Sequence, residues 1–98
     1  MTTYATALAE DRRLTILRVL YDSTAFATNE FVLQTMLGNF GHNVSADRMH
    51  SDLAWLEEQE LITVEVVGGV RIAKLLTRGE DVALGRTIQP GVKRPRAG

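Results

Sequence analysis

The clearest pattern of hydrophobic and polar positions lies in residues 44–61. Met49, Leu53 and Leu56 recur at intervals of three and four residues, which places them on one face of an α-helix. Ser45 stands just before this pattern and is a preferred N-cap, because its hydroxyl can accept a hydrogen bond from a free amide of the first turn. The pattern predicts a short helix that is anchored by one face and presents polar side chains on the other.

Two β-rich runs follow this helix and are separated by Gly68 and Gly69. Paired glycines supply the positive φ angles of a two-residue hairpin turn, so residue 67 is expected opposite residue 70 and the register follows from there. In that register one side of the hairpin is apolar and can lie on the helices. It carries Ile62, Val64, Ala73 and Leu75.

A helical pattern also spans residues 6–21, where one broad side is apolar. Its main members are Leu8, Leu14, Leu17, Leu20 and Tyr21. So much apolar surface on one helix has two explanations. It forms a dimer interface, or the helix is buried in the middle of its own fold.

The next helix is expected to begin at Thr28 or Asn29, either of which can cap it. Its core face is predicted to consist of Leu33, Met36, Leu37 and Phe40. Gly41 is expected to adopt the left-handed conformation that ends many helices, and a short turn then leads to the helix after Ser45. Two helices joined in this way form a helix-turn-helix arrangement.

A last helix is predicted from Thr77 and Glu80, which have the spacing of a capping box, to Gly85. We therefore expect one domain over residues 1–86. The remaining residues, 87–98, contain two prolines and no hydrophobic period, which indicates an extended or disordered arm.

Charge is unevenly distributed along the chain. Residues 1–85 carry seven Lys or Arg and twelve Asp or Glu, whereas residues 86–98 carry four basic residues and no acidic one. A basic tail on an acidic body indicates either phosphate binding or a solvated terminus, and the sequence does not decide between these two interpretations.

Several classes of protein are disfavoured by composition. The chain has no cysteine, which excludes disulfides and thiolate metal sites, and His42 and His50 have no supporting cluster of ligands. No nucleophile–base pair or phosphate-binding glycine loop is evident, so we expect neither an enzyme nor a cofactor. The sequence has no membrane span and no signal-peptide pattern, and we expect a soluble cytoplasmic protein.

Three motifs carry a resemblance to a known family: SADRMxSDLAWLEEQELI, VGGV and LTRGEDVA. They resemble the winged-helix proteins of bacterial regulators, and most of all the small ArsR-like proteins of Mu-like bacteriophages and prophages. The resemblance implies an α+β winged helix-turn-helix fold, mainly helical, with a hairpin wing in the C-terminal half and a last helix. It also implies that residues 45–59 form the recognition helix, that residues 63–75 form the wing, and that terminal helices mediate a homodimer. Metal sensing is not implied, because family members that sense metals use cysteine thiolates.

This interpretation makes the chain a DNA-binding regulator of transcription in a phage or prophage. A recognition helix reads bases mainly with its N-terminal residues, and the wing contacts phosphates. The candidates are Ser45, Asp47, Arg48, His50 and Ser51 on the helix, with Arg71 and Lys74 on the wing. Thr28 and Asn29, at a helix N-terminus, can also meet a phosphate.

The charge of the recognition helix is an argument against DNA binding. Residues 45–60 contain five acidic residues and one basic residue, Arg48, which is a poor match to a polyanion. We expect one of the acids, Asp52, to pair with a basic residue of a neighbouring helix. For Trp55, packing at the edge of the core is favoured over an interface or base-stacking role. The alternative function is a winged-helix protein-interaction module that does not bind DNA.

Overall fold

The structure of the protein, a computed structural model, describes residues 3–96. Its helices are α1 (Tyr4–Asp22), α2 (Glu30–Asn39), α3 (Ala46–Glu58) and α4 (Thr77–Ala83). Its strands are β1 (Ala27–Asn29), β2 (Ile62–Val67) and β3 (Val70–Leu75), and one turn of 3₁₀ helix (Thr24–Phe26) precedes β1. Within these residues no helix has the length and apolar character needed to cross a membrane.

The three strands form one antiparallel sheet in the order β1-β3-β2. The hairpin register is the one predicted, with Val67 opposite Val70 at the turn and Ile62 opposite Leu75 at the far end. Gly68 and Gly69 have φ angles of 57° and 80°, which the two-residue turn requires. β1 was not predicted, because a strand of three residues gives no readable alternation.

The order of elements identifies the fold. A helix, a short strand, a helix-turn-helix, a β-hairpin and a last helix follow one another, which is the topology of a winged helix-turn-helix. This α+β fold, with its hairpin in the C-terminal half, is the one predicted.

α1 lies at the centre of the fold. It contacts α2, β3 and α4, and five of its apolar residues are buried among them. These residues are Leu14, Ile16, Leu17, Val19 and Leu20. The apolar surface of this helix is therefore largely covered within the protomer, which is the second of the two explanations that the sequence left open.

Two of the three predicted caps are present. The Asn29 side chain accepts hydrogen bonds from the amides of Phe31 and Val32, and the Ser45 hydroxyl accepts one from the amide of Arg48. The capping box at Thr77 was wrong: Leu76 is the N-cap of α4, without a side-chain bond. The amide of Leu76 donates to the carbonyl of Leu61 at 3.0 Å, and this tertiary bond fixes where the helix begins.

Residues 87–96 have no regular secondary structure, as their composition suggests, but they lie against the body. Val92 is buried in the core, the amide of Lys93 donates to the carbonyl of Glu10 at 3.1 Å, and Arg13 Nη1 donates to the carbonyl of Gly91 at 2.9 Å. One apolar side chain and a few backbone hydrogen bonds thus hold a segment that local composition describes as an arm.

Candidate nucleic-acid interface

α3 divides into a buried face, an outward row and two flanks. Its buried face consists of Met49, Asp52, Leu53 and Leu56. Because successive residues are about 100° apart around a helix, the opposite side is a single row. That row is exposed and consists of Asp47, Ser51, Ala54 and Glu58. The side of α3 best placed to contact a partner therefore carries two carboxylates, one hydroxyl and one methyl group, and no cation.

Asp52 anchors the buried face to α1, as the sequence suggested. Its two carboxylate oxygens accept hydrogen bonds from Arg12, one from Nε and one from Nη2 at 3.1 Å. Arg13 Nε lies 3.9 Å from the same carboxylate. Since both Arg12 and Asp52 are buried, this bidentate pair sets the orientation of α3 on α1 as well as its depth.

The flank of α3 that faces the wing holds a cluster that sequence reasoning did not find. Glu30, the first residue of α2, accepts a hydrogen bond from the backbone amide of Arg71 at 2.6 Å and one from His50 Nε2 at 2.8 Å. The Arg71 guanidinium lies 4.0 Å from the same carboxylate and 3.4 Å from His50 Nε2. One carboxylate therefore joins α2, α3 and the hairpin. We call Glu30, His50 and Arg71 the Glu30 cluster.

The electrostatics of this cluster favour an ionised carboxylate. The backbone amide of Arg71, and next the hydrogen bond from His50, hold the pKa of Glu30 below its ordinary value. Glu30 was overlooked because its partners lie 20 and 41 residues away in the chain. The local signal that existed was an acidic residue directly after an N-cap, which is equally explained by the helix dipole.

The predicted wing residues Arg71 and Lys74 lie on opposite faces of the sheet. Side chains alternate along a strand, so Arg71 shares a face with the buried Ala73 and Leu75, towards the helices. Lys74 is exposed on the other face, in register with Ala27 of β1 and Thr63 of β2. Arg71 therefore lies on the α3 side of the sheet, and Lys74 lies on the other side.

The tip of the hairpin is apolar. Val66 and Val67 are 63% and 52% exposed, and the two turn glycines follow them. Arg71 is thus the cation nearest the turn on β3, and the tip itself offers no charge to a phosphate.

The opposite flank of α3 carries Arg48 and Trp55. Arg48 is exposed, whereas Trp55 is half-buried against the core. The Arg13 guanidinium lies 4.1 Å from the centre of the indole ring, within the range of a cation–π interaction, and the backbone at Gly91 lies against the same ring. These contacts agree with packing at the edge of the core.

The remaining candidates have structural partners. Thr28 is in β1 opposite Ala73, and Asn29 uses its side-chain oxygen to cap α2. His42 is buried, and its Nε2 lies 2.7 Å from Asp11, which also accepts from Lys93 Nζ at 3.3 Å. Partial burial raises the pKa of Asp11, but the bonds from His42 and Lys93 outweigh it and leave this pKa below its ordinary value. The two histidines therefore bind different carboxylates, and the described residues, 3–96, contain no cluster of three metal-ligating side chains.

No protein-family model matches the chain. The uncharacterized protein gp26 of Escherichia phage Mu is 52% identical to it over 89 residues, which cover 91% of this chain and 92% of gp26. The chain belongs to the gp26 family. An uncharacterized protein of Haemophilus influenzae (strain ATCC 51907 / DSM 11121 / KW20 / Rd) is 36% identical over 72 residues, which cover 72% of this chain and 70% of that protein. The gp26 family thus includes a phage protein that this chain matches over most of its length.

Proposed function

We propose that this chain is a DNA-binding winged-helix protein that regulates transcription in a phage or prophage. The observation that supports the proposal is the placement of α3. Its apolar face and Asp52 are anchored in the core, its N-terminal half is exposed, and the Glu30 cluster sets Arg71 of the wing on its flank. A helix held by one face beside a wing is the arrangement with which winged-helix proteins enter the major groove.

The structure changes the roles proposed for individual residues. Arg48 and Ser51 are exposed and free to meet base edges, with Arg48 suited to a bidentate contact with guanine. Asp47 can accept a hydrogen bond from a cytosine amino group. Ser45 caps α3 and His50 is bound to Glu30, so both position the helix rather than read bases. Arg71 contacts the phosphate backbone in this proposal.

The acidic outward row of α3 limits how strongly one protomer would bind. Asp47 and Glu58 repel the phosphates that flank the groove, and Arg48 and Arg71 provide few compensating contacts. Binding in the proposed mode therefore requires two protomers on neighbouring half-sites, because linked sites raise the effective concentration of the second contact.

Fluorescence anisotropy with a pool of random duplexes, and with any sequence selected from it, tests the proposal. Affinity should fall as salt rises. Arg71→Ala should weaken binding to all sequences, whereas Lys74→Ala, which removes the same charge from the other face of the sheet, should change it little. Arg48→Ala should relax sequence preference, with a loss of about 1–3 kcal/mol on the selected site. Absence of binding at micromolar protein and low salt would end the proposal.

A second candidate function is a protein-interaction module with the same fold. The two carboxylates of the outward row and the uncharged wing tip favour it, because both suit a protein surface better than a polyanion. The double variant Asp47→Asn, Glu58→Gln separates the two functions. If α3 faces DNA, this variant should bind the pool of random duplexes more tightly than the parent protein, since two repulsive charges are removed and no particular base contact is lost. Unchanged affinity would place α3 away from the DNA and favour the second function.

A further inference from the structure

The outer face of α2 exposes an unusual amount of apolar surface. Phe31 and Phe40 are each 61% exposed, and Val32, between them on this helix, is 44% exposed. Single exposed apolar residues are common, but two phenylalanines and a valine on ten consecutive residues form a continuous patch. Nothing in residues 3–96 covers this patch.

A groove of about 260 Å³ runs beside the patch, between α1 and α2. Val19, Val32, Met36 and Phe40 form its apolar lining, and Arg18 and Asp22 of α1 border it. A shallower hollow on α2 is lined by Phe31, Thr35 and the same Val32 and Met36. The two depressions therefore adjoin, with the exposed Phe31 ring at one end and the groove at the other. We call this surface the α1–α2 face.

We propose that the α1–α2 face binds the same face of a second copy of this chain about a two-fold axis. In such an interface each contact occurs twice, so a surface must be complementary to itself. The α1–α2 face meets this requirement in shape: Phe31 projects from α2, and the groove beside it is open and apolar. Phe31 of each protomer would fill the groove of the other.

The face is also complementary to itself in charge. Arg18 and Asp22 are four residues apart on α1, and within residues 3–96 neither forms a salt bridge. Across a two-fold axis, Arg18 of one protomer can pair with Asp22 of the other, and the reverse pair forms at the same time. A second copy can therefore pair both of these charges at once, as a two-fold interface requires.

This interface differs in part from the one that the family resemblance implied, because it combines α2 with the C-terminal end of α1. On the other parts of the terminal helices, Leu8 and Leu84 are 37% and 38% exposed, and Tyr4 is exposed at the start of α1. The proposal does not depend on DNA binding, since a dimer of this kind would serve either candidate function.

Sedimentation velocity of the full chain over a range of concentrations tests the proposal. The parent protein should dimerise, and Phe31→Ser should weaken dimerisation at least tenfold, because it removes the side chain that fills the groove. Ile88→Ser is the matched control, because it removes from the C-terminal segment an apolar side chain that is also 61% exposed, and it should leave the dimer intact. Circular dichroism should show that both variants fold. A parent protein that stays monomeric at roughly 100 μM, or a dimer that Ile88→Ser dissociates and Phe31→Ser does not, would overturn the proposal.

A charge exchange tests the two-fold arrangement itself. Arg18→Asp and Asp22→Arg should each weaken the dimer, because each single change sets like charges against one another across the axis. The double exchange Arg18→Asp, Asp22→Arg should restore it, since both pairs form again in reverse. A double variant no stronger than either single one would show that these residues do not meet across a two-fold axis, and the proposed interface would then be abandoned.

Discussion

At the scale of single residues, the buried pair of Arg12 and Asp52 holds α3 on α1. Asp52→Leu should destabilise the fold by about 3–5 kcal/mol, because it leaves the Arg12 guanidinium buried and uncompensated. The double variant Arg12→Met, Asp52→Leu should recover much of this loss. Urea unfolding followed by circular dichroism measures both free energies.

Glu58→Leu provides the control for this pair, since it changes an exposed acid of the same helix to the same apolar residue. Its effect should stay within about 0.5 kcal/mol. The single variant Arg12→Met completes the comparison. If the loss of unfolding free energy in the double variant equalled the sum of the losses in Arg12→Met and Asp52→Leu, the two residues would contribute independently, and the pair would not be what fixes α3 on α1.

Two helical glycines should respond differently to the same substitution. A Cβ at Gly79 of α4 would lie 2.1 Å from the carbonyl oxygen of Leu61, a backbone atom that cannot move aside cheaply. At Gly38 of α2 the nearest obstacle is the exposed side chain of Asn43, at 3.1 Å. Gly79→Ala should therefore cost about 1–3 kcal/mol or more, while Gly38→Ala should be near neutral or stabilising.

Thermal unfolding monitored at 222 nm, a wavelength sensitive to helix content, compares these two variants under identical conditions. Equal melting temperatures would mean that α4 does not lie as close to the residue before β2 as the structure shows.

At this scale, the sequence predicts interactions between residues that are close together in the chain and misses partners that are far apart in it. The cap at Ser45 follows from adjacent residues and was predicted. The pairing of Asp52 with a basic residue of a neighbouring helix was predicted, but Arg12 could not be named, because 40 residues separate the two. Glu30 was missed for the same reason. The side of the sheet on which Lys74 lies was readable from strand alternation, and only its pairing with β1 was beyond the sequence.

At the scale of elements, the Glu30 cluster couples the helix-turn-helix to the wing. Its carboxylate has a lowered pKa, so it stabilises the fold above its ordinary pKa, and this contribution is lost as pH falls through the folded-state pKa. Glu30→Gln, which keeps the shape but not the charge, should be less stable than the parent at neutral pH. The difference between the two proteins should shrink as pH is lowered below the ordinary pKa of a glutamate carboxyl and through the folded-state pKa.

Urea midpoints of the parent and Glu30→Gln at several pH values measure this difference. Asp11, whose pKa is also lowered, contributes to the acid sensitivity of both proteins and cancels in the comparison. Glu58→Gln controls for the loss of one negative charge. A difference that stays constant with pH would show that the carboxylate is not preferentially ionised in the folded protein.

Elements were predicted well where their signals were local. The hairpin register followed from two adjacent glycines, and α3 from its apolar period and cap. β1 was missed because its three residues become a strand only through pairing with β3, which lies more than forty positions later. The start of α4 was misplaced by one residue because the contact with Leu61 outweighs the local capping preference.

At the scale of the whole molecule, residues 87–96 close the fold over α1 and α3. Sequence patterns did not predict this, since residues 87–96 have no period and only Val92 among them reaches the core. The consequence is that part of the basic tail is used internally. Lys93 pairs with Asp11 on α1, so the positive charge that composition assigns to a free arm is partly neutralised by the body.

The contact between this segment and Trp55, the single tryptophan, gives a direct test of that closure. A Cβ at Gly91 would lie 2.6 Å from the indole ring, so Gly91→Ala should push the segment away. We expect Trp55 emission to shift to longer wavelength as water reaches the ring.

Gly41→Ala is the matched control, because Gly41 has a φ of 91°, close to the 94° of Gly91, and has open space around it. Both variants carry the strain of a left-handed residue, about 1–2 kcal/mol, and only Gly91→Ala adds the clash. Gly91→Ala should therefore be the less stable of the two in urea. Identical stability and emission in both variants would show that the segment does not rest on Trp55.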